Sequence, residues 1–263
     1  MPRANRYFLP GYIWHITHRC HKKDYLLKFI NDRRRWIYWL FEAKKRFELI
    51  VLNYTVTSNH IHLLVYDKGG EAVIAKSMQL MASRTGQEYN QRKNRTGAFW
   101  EDRYHATAIS DDKHLIECML YIDLNMTRAG VVNHPGDWPT CGYHEMQNLP
   151  KRRRVVDLQE LMRLFNFNSL DYLKSQYNRW LENSMMKGSL PYDQKWSQSL
   201  AVGNESFIDE VISKLGKKVE SREKAGKENS FILREPNSSY STNFKVKNRL
   251  LKAENTYFWN LNL

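Results

Sequence analysis

The apolar positions in the first half of the chain change their period several times. From about residue 11 to 18 they alternate with polar ones, as in a half-buried strand, whereas from about 30 to 46 Trp36, Leu40, Ala43 and Phe47 recur at helical spacing. Strand-like runs follow near 48–56 and 60–66, and Thr57-Ser58-Asn59 between them is a turn, so a β-hairpin is expected. A helix is expected over about 71–91, a strand over about 99–109 and another helix over about 111–129. That last helix opens on Ser110-Asp111-Asp112 and stops at Gly130, with Leu115, Met119, Ile122, Met126 and Ala129 as its core stripe. The order βαββαβ predicts an α+β fold: a ferredoxin-like (RRM-like) sheet with helices on one face and one helix added after the last strand.

Past Pro150 the pattern changes. Lys151-Arg152-Arg153-Arg154 opens a stretch with three expected helices, near 157–166, 169–186 and 204–218, then a region rich in Ser, Glu, Lys and Asn over about 219–243. Residues 244–259 carry enough apolar side chains to pack back onto the rest. Two units are therefore expected: 1–148, which holds the sheet, and 149–263, a smaller, basic, mainly helical C-terminal module.

Within this frame a few polar residues stand out. His60 and His62 are separated by one apolar residue in a strand, so both imidazoles share a face while Ile61, Leu63 and Val65 take the other. Tyr121 and Asn125 are four apart on the expected helix and project from one side of it, in a polar strip with His114, Glu117 and Arg128. Together these residues read as a metal-assisted nucleophile. The bland alternative is a solvated helix face with Tyr121 as a snorkelling aromatic. Other candidates are weaker: His15 points away from His18 and Cys20 in a strand, which argues against zinc there, and Tyr104 lies in an aromatic run with Phe99 and Trp100 that reads as core.

Charge narrows the partner. Lys and Arg number 41 against 28 Asp and Glu, a net charge of +13, which favours a polyanion. Residues 1–148 carry 21 basic and 15 acidic side chains and the remainder 20 and 13, so both parts share the excess. Aromatic residues make up 13% of the chain and offer stacking platforms for unpaired bases. Three cysteines, Cys20, Cys118 and Cys141, have no metal-type spacing and predict no disulfide. No run approaches membrane-spanning length and the N-terminus lacks an apolar leader core, so a cytoplasmic protein, nucleoid-associated in a bacterium, is expected.

Four ordered blocks carry a family resemblance. They are Tyr12 to Arg19, Ser58 to Val65, Arg95 to Tyr104 and Tyr121 to Val131, and Asp137-Trp138-Pro139-Thr140-Cys141-Gly142-Tyr143 follows as a fifth. In this order they resemble the single-tyrosine HUH transposases, and among them REP-associated tyrosine transposases, over about residues 7–148. The resemblance implies Tyr121 as nucleophile, His60 and His62 as metal ligands and Asn125 as polar third ligand. It further implies a divalent metal, Mg²⁺ or Mn²⁺, single-stranded DNA folded as a hairpin, and a covalent 5′-phosphotyrosine intermediate. Arg103, Arg128 and Arg19 are the expected DNA contacts, although Arg103 has Glu101 and Asp102 beside it as rival partners. Asn125-Met126-Thr127-Arg128-Ala129-Gly130 departs from the family's usual Asn-Pro-Val-Arg-Ala-Gly and spares the chemical positions. Two other readings stay open: a non-catalytic nucleic-acid-binding regulator on the same sheet, and a zinc hydrolase built on His60 and His62, for which Glu117 is the available carboxylate. Monomer and homodimer are equally compatible with the sequence.

Overall fold

Alternation of the expected kind builds β1 (Ile13–Arg19), β2 (Ile50–Val56), β3 (His60–Tyr66) and β4 (His105–Ile109). Between them in sequence lie α1 (Ile30–Phe47) and α2 (Val73–Arg92), which pack on one another. The structure, a computed structural model, describes residues 9–69, 72–111, 113–148, 153–187, 193–227 and 230–234. The expected apolar run at 244–259, the last part of the polar region at 219–243, and Asp112, Lys151 and Arg152 lie outside the described residues.

The strands stand in the order β2-β3-β1-β4 and all pair antiparallel, so β3 is inserted between the two strands that α1 connects. This is the α+β sheet that the sequence predicts. Register then separates two unlike faces. Thr17 lies opposite His62 and His105, and His62 opposite Thr55, so His15, Thr17, Arg19, His60 and His62 share one face. Trp14, Ile16, Ile61, Leu63 and Val65 take the other and are buried. The helix pair covers that apolar face: His18, which points the same way as Ile16, stacks on Trp100 at 4.1 Å, and the Trp100 indole donates to the Ala82 carbonyl of α2 at 3.0 Å. Each fully buried large side chain there stabilises the fold by about 1.5–3 kcal/mol relative to exposure.

The polar face is covered by what the sequence reads as one helix over 111–129. It is two pieces, α3 (Lys113–Asp123) and α4 (Asn125–Arg128), divided at Leu124, where ψ opens to 5°. The hydrogen-bond ladder crosses the break, with Leu124 N–H donating to Leu120 at 2.9 Å and Arg128 N–H to Leu124 at 2.8 Å. Tyr121 and Asn125 therefore stay on the same side despite it. The strand expected at 99–109 is shorter than its pattern suggested: only His105–Ile109 joins the sheet, while Glu101, Asp102 and Arg103 form an exposed loop after an isolated pairing of Trp100 with Cys20.

A short helix α5 (Tyr143–Gln147) leads to the C-terminal segment. There α6 (Leu158–Leu164), α7 (Leu170–Met186) and α9 (Glu205–Leu215) fall close to the three expected helices, each opened by a side-chain cap from Asp157, Ser169 and Asn204 respectively. Between α7 and α9 lies the one-turn helix α8 (Lys195–Gln198). The segment remains mainly helical but also adds three strands that the sequence did not announce. These are β5 (Ser199–Gly203), β6 (Glu223–Lys227) and β7 (Ser230–Arg234). β5 pairs parallel with β4, and β7 then β6 continue outward, so one seven-stranded sheet runs through both parts of the chain. No helix among the described residues is long and apolar enough to cross a membrane.

Asp123, at the end of α3, ties the two parts together. Its buried carboxyl accepts from the Tyr177 hydroxyl of α7, and burial raises its pKa from 3.8 to about 7 although the Tyr177 and Asn53 hydrogen bonds pull the other way. A folded value above the unfolded one means that the protonated carboxyl stabilises the fold; the contribution is complete below about pH 4 and is lost as pH rises through about 7. Asp123→Asn should therefore flatten the pH dependence of unfolding free energy across that window, as measured by urea denaturation at several pH values. Parallel curves for the two proteins would contradict this assignment.

Candidate active site

His60 opens β3, and the turn before it fixes its ring. His60 Nδ1 lies 2.7 Å from Asn59 Oδ1 and 2.9 Å from Thr57 Oγ1, while the Thr57 hydroxyl also donates to the His60 carbonyl at 2.8 Å. An amide oxygen only accepts, so His60 carries its proton on Nδ1 and keeps the Nε2 lone pair. Two residues on, His62 is 3% exposed. Its Nδ1 lies 2.9 Å from His15 Nε2, and its Nε2 lies 3.0 Å from the side-chain nitrogen of Asn125. The two β3 imidazoles stand edge to face with centroids 4.9 Å apart.

Tyr121 comes down onto this pair from α3. Its ring is perpendicular to His62 at 5.6 Å between centroids, edge-on to His15 at 6.1 Å, and tilted against Trp196 of α8 at 6.0 Å. Arg128 lies over the ring at 4.2 Å and donates to the Tyr121 carbonyl at 3.0 Å. At 5% exposure Tyr121 is a buried residue of an interlayer site and no snorkelling aromatic. His114, in the same expected strip, is fully buried 3.3 Å from Ser110, and Glu117 instead faces Lys195 at 3.6 Å.

The electrostatics follow from this packing. Burial lowers the pKa of His15 and of His60 from 6.5 to about 3, and drives that of His62 well below the usual imidazole range. The positive fields of Arg19 and Arg128 add to the depression at both β3 histidines. All three rings are therefore neutral near pH 7 and can act as lone-pair donors.

The structure brings His60, His62, Tyr121, Asn125 and Arg128 together, with Arg19 paired opposite His60 at the end of β1. Arg103 makes no described contact with that cluster; it sits on the exposed 101–103 loop, where its backbone N–H donates to Asp102 Oδ1. Tyr104 is buried near His18, on the apolar face. Among the described residues no three His, Cys, Asp or Glu side chains are grouped to hold a metal, so a centre here would consist of two imidazoles and the Asn125 amide.

Comparison with known proteins shows what the chain resembles. Residues 10–125 match the family model for IS200-like transposases, a span that runs from just before β1 to Asn125 itself. Over those residues the chain is similar to the IS200-like transposases. A Haemophilus influenzae protein described as a REP-associated tyrosine transposase is 26% identical over 155 residues, covering 55% of this chain and 86% of the relative. The solved structure of a REP-associated tyrosine transposase bound to a REP hairpin is also similar, with a TM-score of 0.48 and 18% identity over 60% of this chain and 94% of that one.

Sequence reasoning missed His15, Asn59 and Trp196 as parts of the site. The alternation of β1 placed His15 on one face with Thr17, but only the β1–β3 register brings it to His62, and nothing marked Trp196 as a neighbour. The histidine environment gives a direct expectation: in an NMR titration the His60 and His62 rings should show no inflection between about pH 5 and 8, because their protonation lies lower. An inflection near 6.5 in either would contradict the burial described.

Proposed function

We propose that the protein is a metal-dependent single-stranded DNA endonuclease and strand transferase that cuts hairpin-forming DNA through a covalent bond to Tyr121. The observation that carries this reading is the convergence of Tyr121, His60, His62 and Asn125 at one place between the sheet and α3. The transposase family match and the REP-associated relative agree with it. Residues 1–148 would form the catalytic part and 149–263 a basic extension that buttresses it.

The donor set fits a divalent ion, Mg²⁺ or Mn²⁺. Both histidines are neutral, and each has its Nδ1 engaged by a neighbour, so the two Nε2 atoms are the ligand positions. Turning the Asn125 amide would present its oxygen in place of the nitrogen now near His62. When bound, the ion supplies positive charge at the non-bridging oxygens of the scissile phosphate. Tyr121 does the covalent chemistry: its phenol oxygen attacks phosphorus in line and gives up its proton, and a phosphotyrosyl bond forms as the bond to the 3′ oxygen breaks. The departing oxygen takes a proton and leaves as a 3′-hydroxyl, and the 5′-phosphate stays on Tyr121. Attack by a second 3′-hydroxyl reverses the step and joins strands without an outside energy source. Arg128 places a cation beside the ring whose oxygen must carry negative charge during attack. With Arg19 at the strand end it also offers charge to backbone phosphates, a role that Arg103 would extend along the exposed loop.

The test is a denaturing gel of protein incubated with labelled hairpin oligonucleotide and Mn²⁺. Wild type should give a covalent band. Tyr121→Phe should give neither band nor cut while retaining hairpin affinity within about threefold, since only the nucleophilic oxygen is removed. The double variant His60→Ala, His62→Ala should also fail to cut, with Tyr121 still present. An adduct that survives Tyr121→Phe would overturn the assignment of the nucleophile. Tight binding by wild type with no cleavage would favour a non-catalytic regulator.

A further inference from the structure

We propose that a backbone carbonyl of the C-terminal segment decides which nitrogen of His62 is available as a ligand, with His15 as the positioning residue that transmits the constraint. The inference rests on reading His62 as a metal ligand and concerns how that ligand is prepared.

The hydrogen bonds form a single buried line. The Trp196 carbonyl lies 2.7 Å from His15 Nδ1, His15 Nε2 lies 2.9 Å from His62 Nδ1, and His62 Nε2 lies 3.0 Å from Asn125 Nδ2. The His15 and His62 rings lie side by side, 13° from parallel with centroids 5.1 Å apart, and are 0% and 3% exposed, so water cannot substitute for either partner. A carbonyl oxygen only accepts, so His15 Nδ1 carries a proton. The ring is neutral, being buried between a carbonyl and another imidazole, and its Nε2 is thus an acceptor. His62 must then donate from Nδ1 and present a bare Nε2 towards Asn125. The far end is consistent with this, because an Asn125 side-chain nitrogen placed there donates and takes that same Nε2 as its acceptor. With the opposite tautomer, lone pair would face lone pair at Trp196, and a proton would block the ligand position on His62.

The carbonyl at the head of the line sits beside an anchored junction, whose short hydrogen bonds fall on Ser199. Thr107 of β4 reaches the carbonyls of Trp196 and Ser199 at 3.4 and 2.7 Å, and His105 reaches that of Ser199 at 2.9 Å, just where β5 joins β4. The Trp196 ring packs on Tyr121, and Lys195 pairs with Glu117 on α3. The α8–β5 corner thus touches the nucleophile and the ligand line together, giving the C-terminal segment a part in catalysis that does not depend on its own contacts with DNA.

Two measurements test this on the full chain. Long-range ¹H–¹⁵N NMR of the metal-free protein reads the tautomers directly: His15 and His62 should both be protonated on Nδ1, and a proton on Nε2 of His62 would overturn the proposal. Mn²⁺ affinity, read from the EPR signal of the free ion, should fall at least about tenfold in His15→Phe, which lacks the acceptor, and stay within about threefold in His15→Gln, whose amide oxygen can replace it. Unchanged affinity in His15→Phe would also overturn the proposal. If His15→Phe does not fold, the wild-type tautomer remains decisive. His60→Ala separates the two ideas: Mn²⁺ binding that is indifferent to it would refute the metal reading itself, while the tautomer measurement still judges the role of His15.

Discussion

Between the central strands and α3, where a sandwich of sheet and helix would ordinarily place aliphatic side chains, this protein buries a row of imidazoles. A buried polar group without a partner costs about 1–3 kcal/mol, so such a layer persists only if every donor there meets an acceptor. The His15–His62 hydrogen bond is the link on which the rest depends. It joins β1 to β3 on the polar face, leaves one nitrogen of His62 turned to Asn125, and sets two rings against which Tyr121 packs. The opposite face of the same strands, with Trp14, Ile16, Ile61 and Leu63, supplies the apolar core against α1 and α2 that keeps this register from slipping. A shift of one residue would exchange the imidazoles for isoleucine and leucine.

The C-terminal segment is part of this arrangement. Its β5 extends the sheet beside β4, its Tyr177 reaches Asp123 at the end of α3, and its Trp196 closes over Tyr121. A change of composition at Pro150 therefore marks a change in sequence character while the hydrogen-bonded sheet continues through it. The positive excess is shared by both parts of the chain.

Much of the site was legible because short-range periodicity dictates it. A spacing of two in a strand puts His60 and His62 on one face, and a spacing of four in a helix puts Tyr121 and Asn125 on one side; neither needs knowledge of the fold. The helix break at Leu124 was invisible, since nothing at that position forbids helix, yet it proved harmless because the ladder continues across it. His15 and Trp196 were not legible for a different reason. Their roles depend on pairings between residues 47 and 181 positions apart, which only the assembled sheet determines. The strands β5, β6 and β7 escaped because five-residue runs such as Glu223–Lys227 have too little alternation to be told from loop, and gain their structure from the neighbour they pair with.

The proposed chemistry stands on Tyr121 as the residue that takes the DNA strand. It is tested most directly by digesting the covalent complex with nuclease and protease and locating the residual nucleotide by mass spectrometry. The expected result is a nucleotide mass on the peptide that contains Tyr121, with fragmentation placing it on that side chain. A nucleotide on Tyr104, or on any other residue, would contradict it.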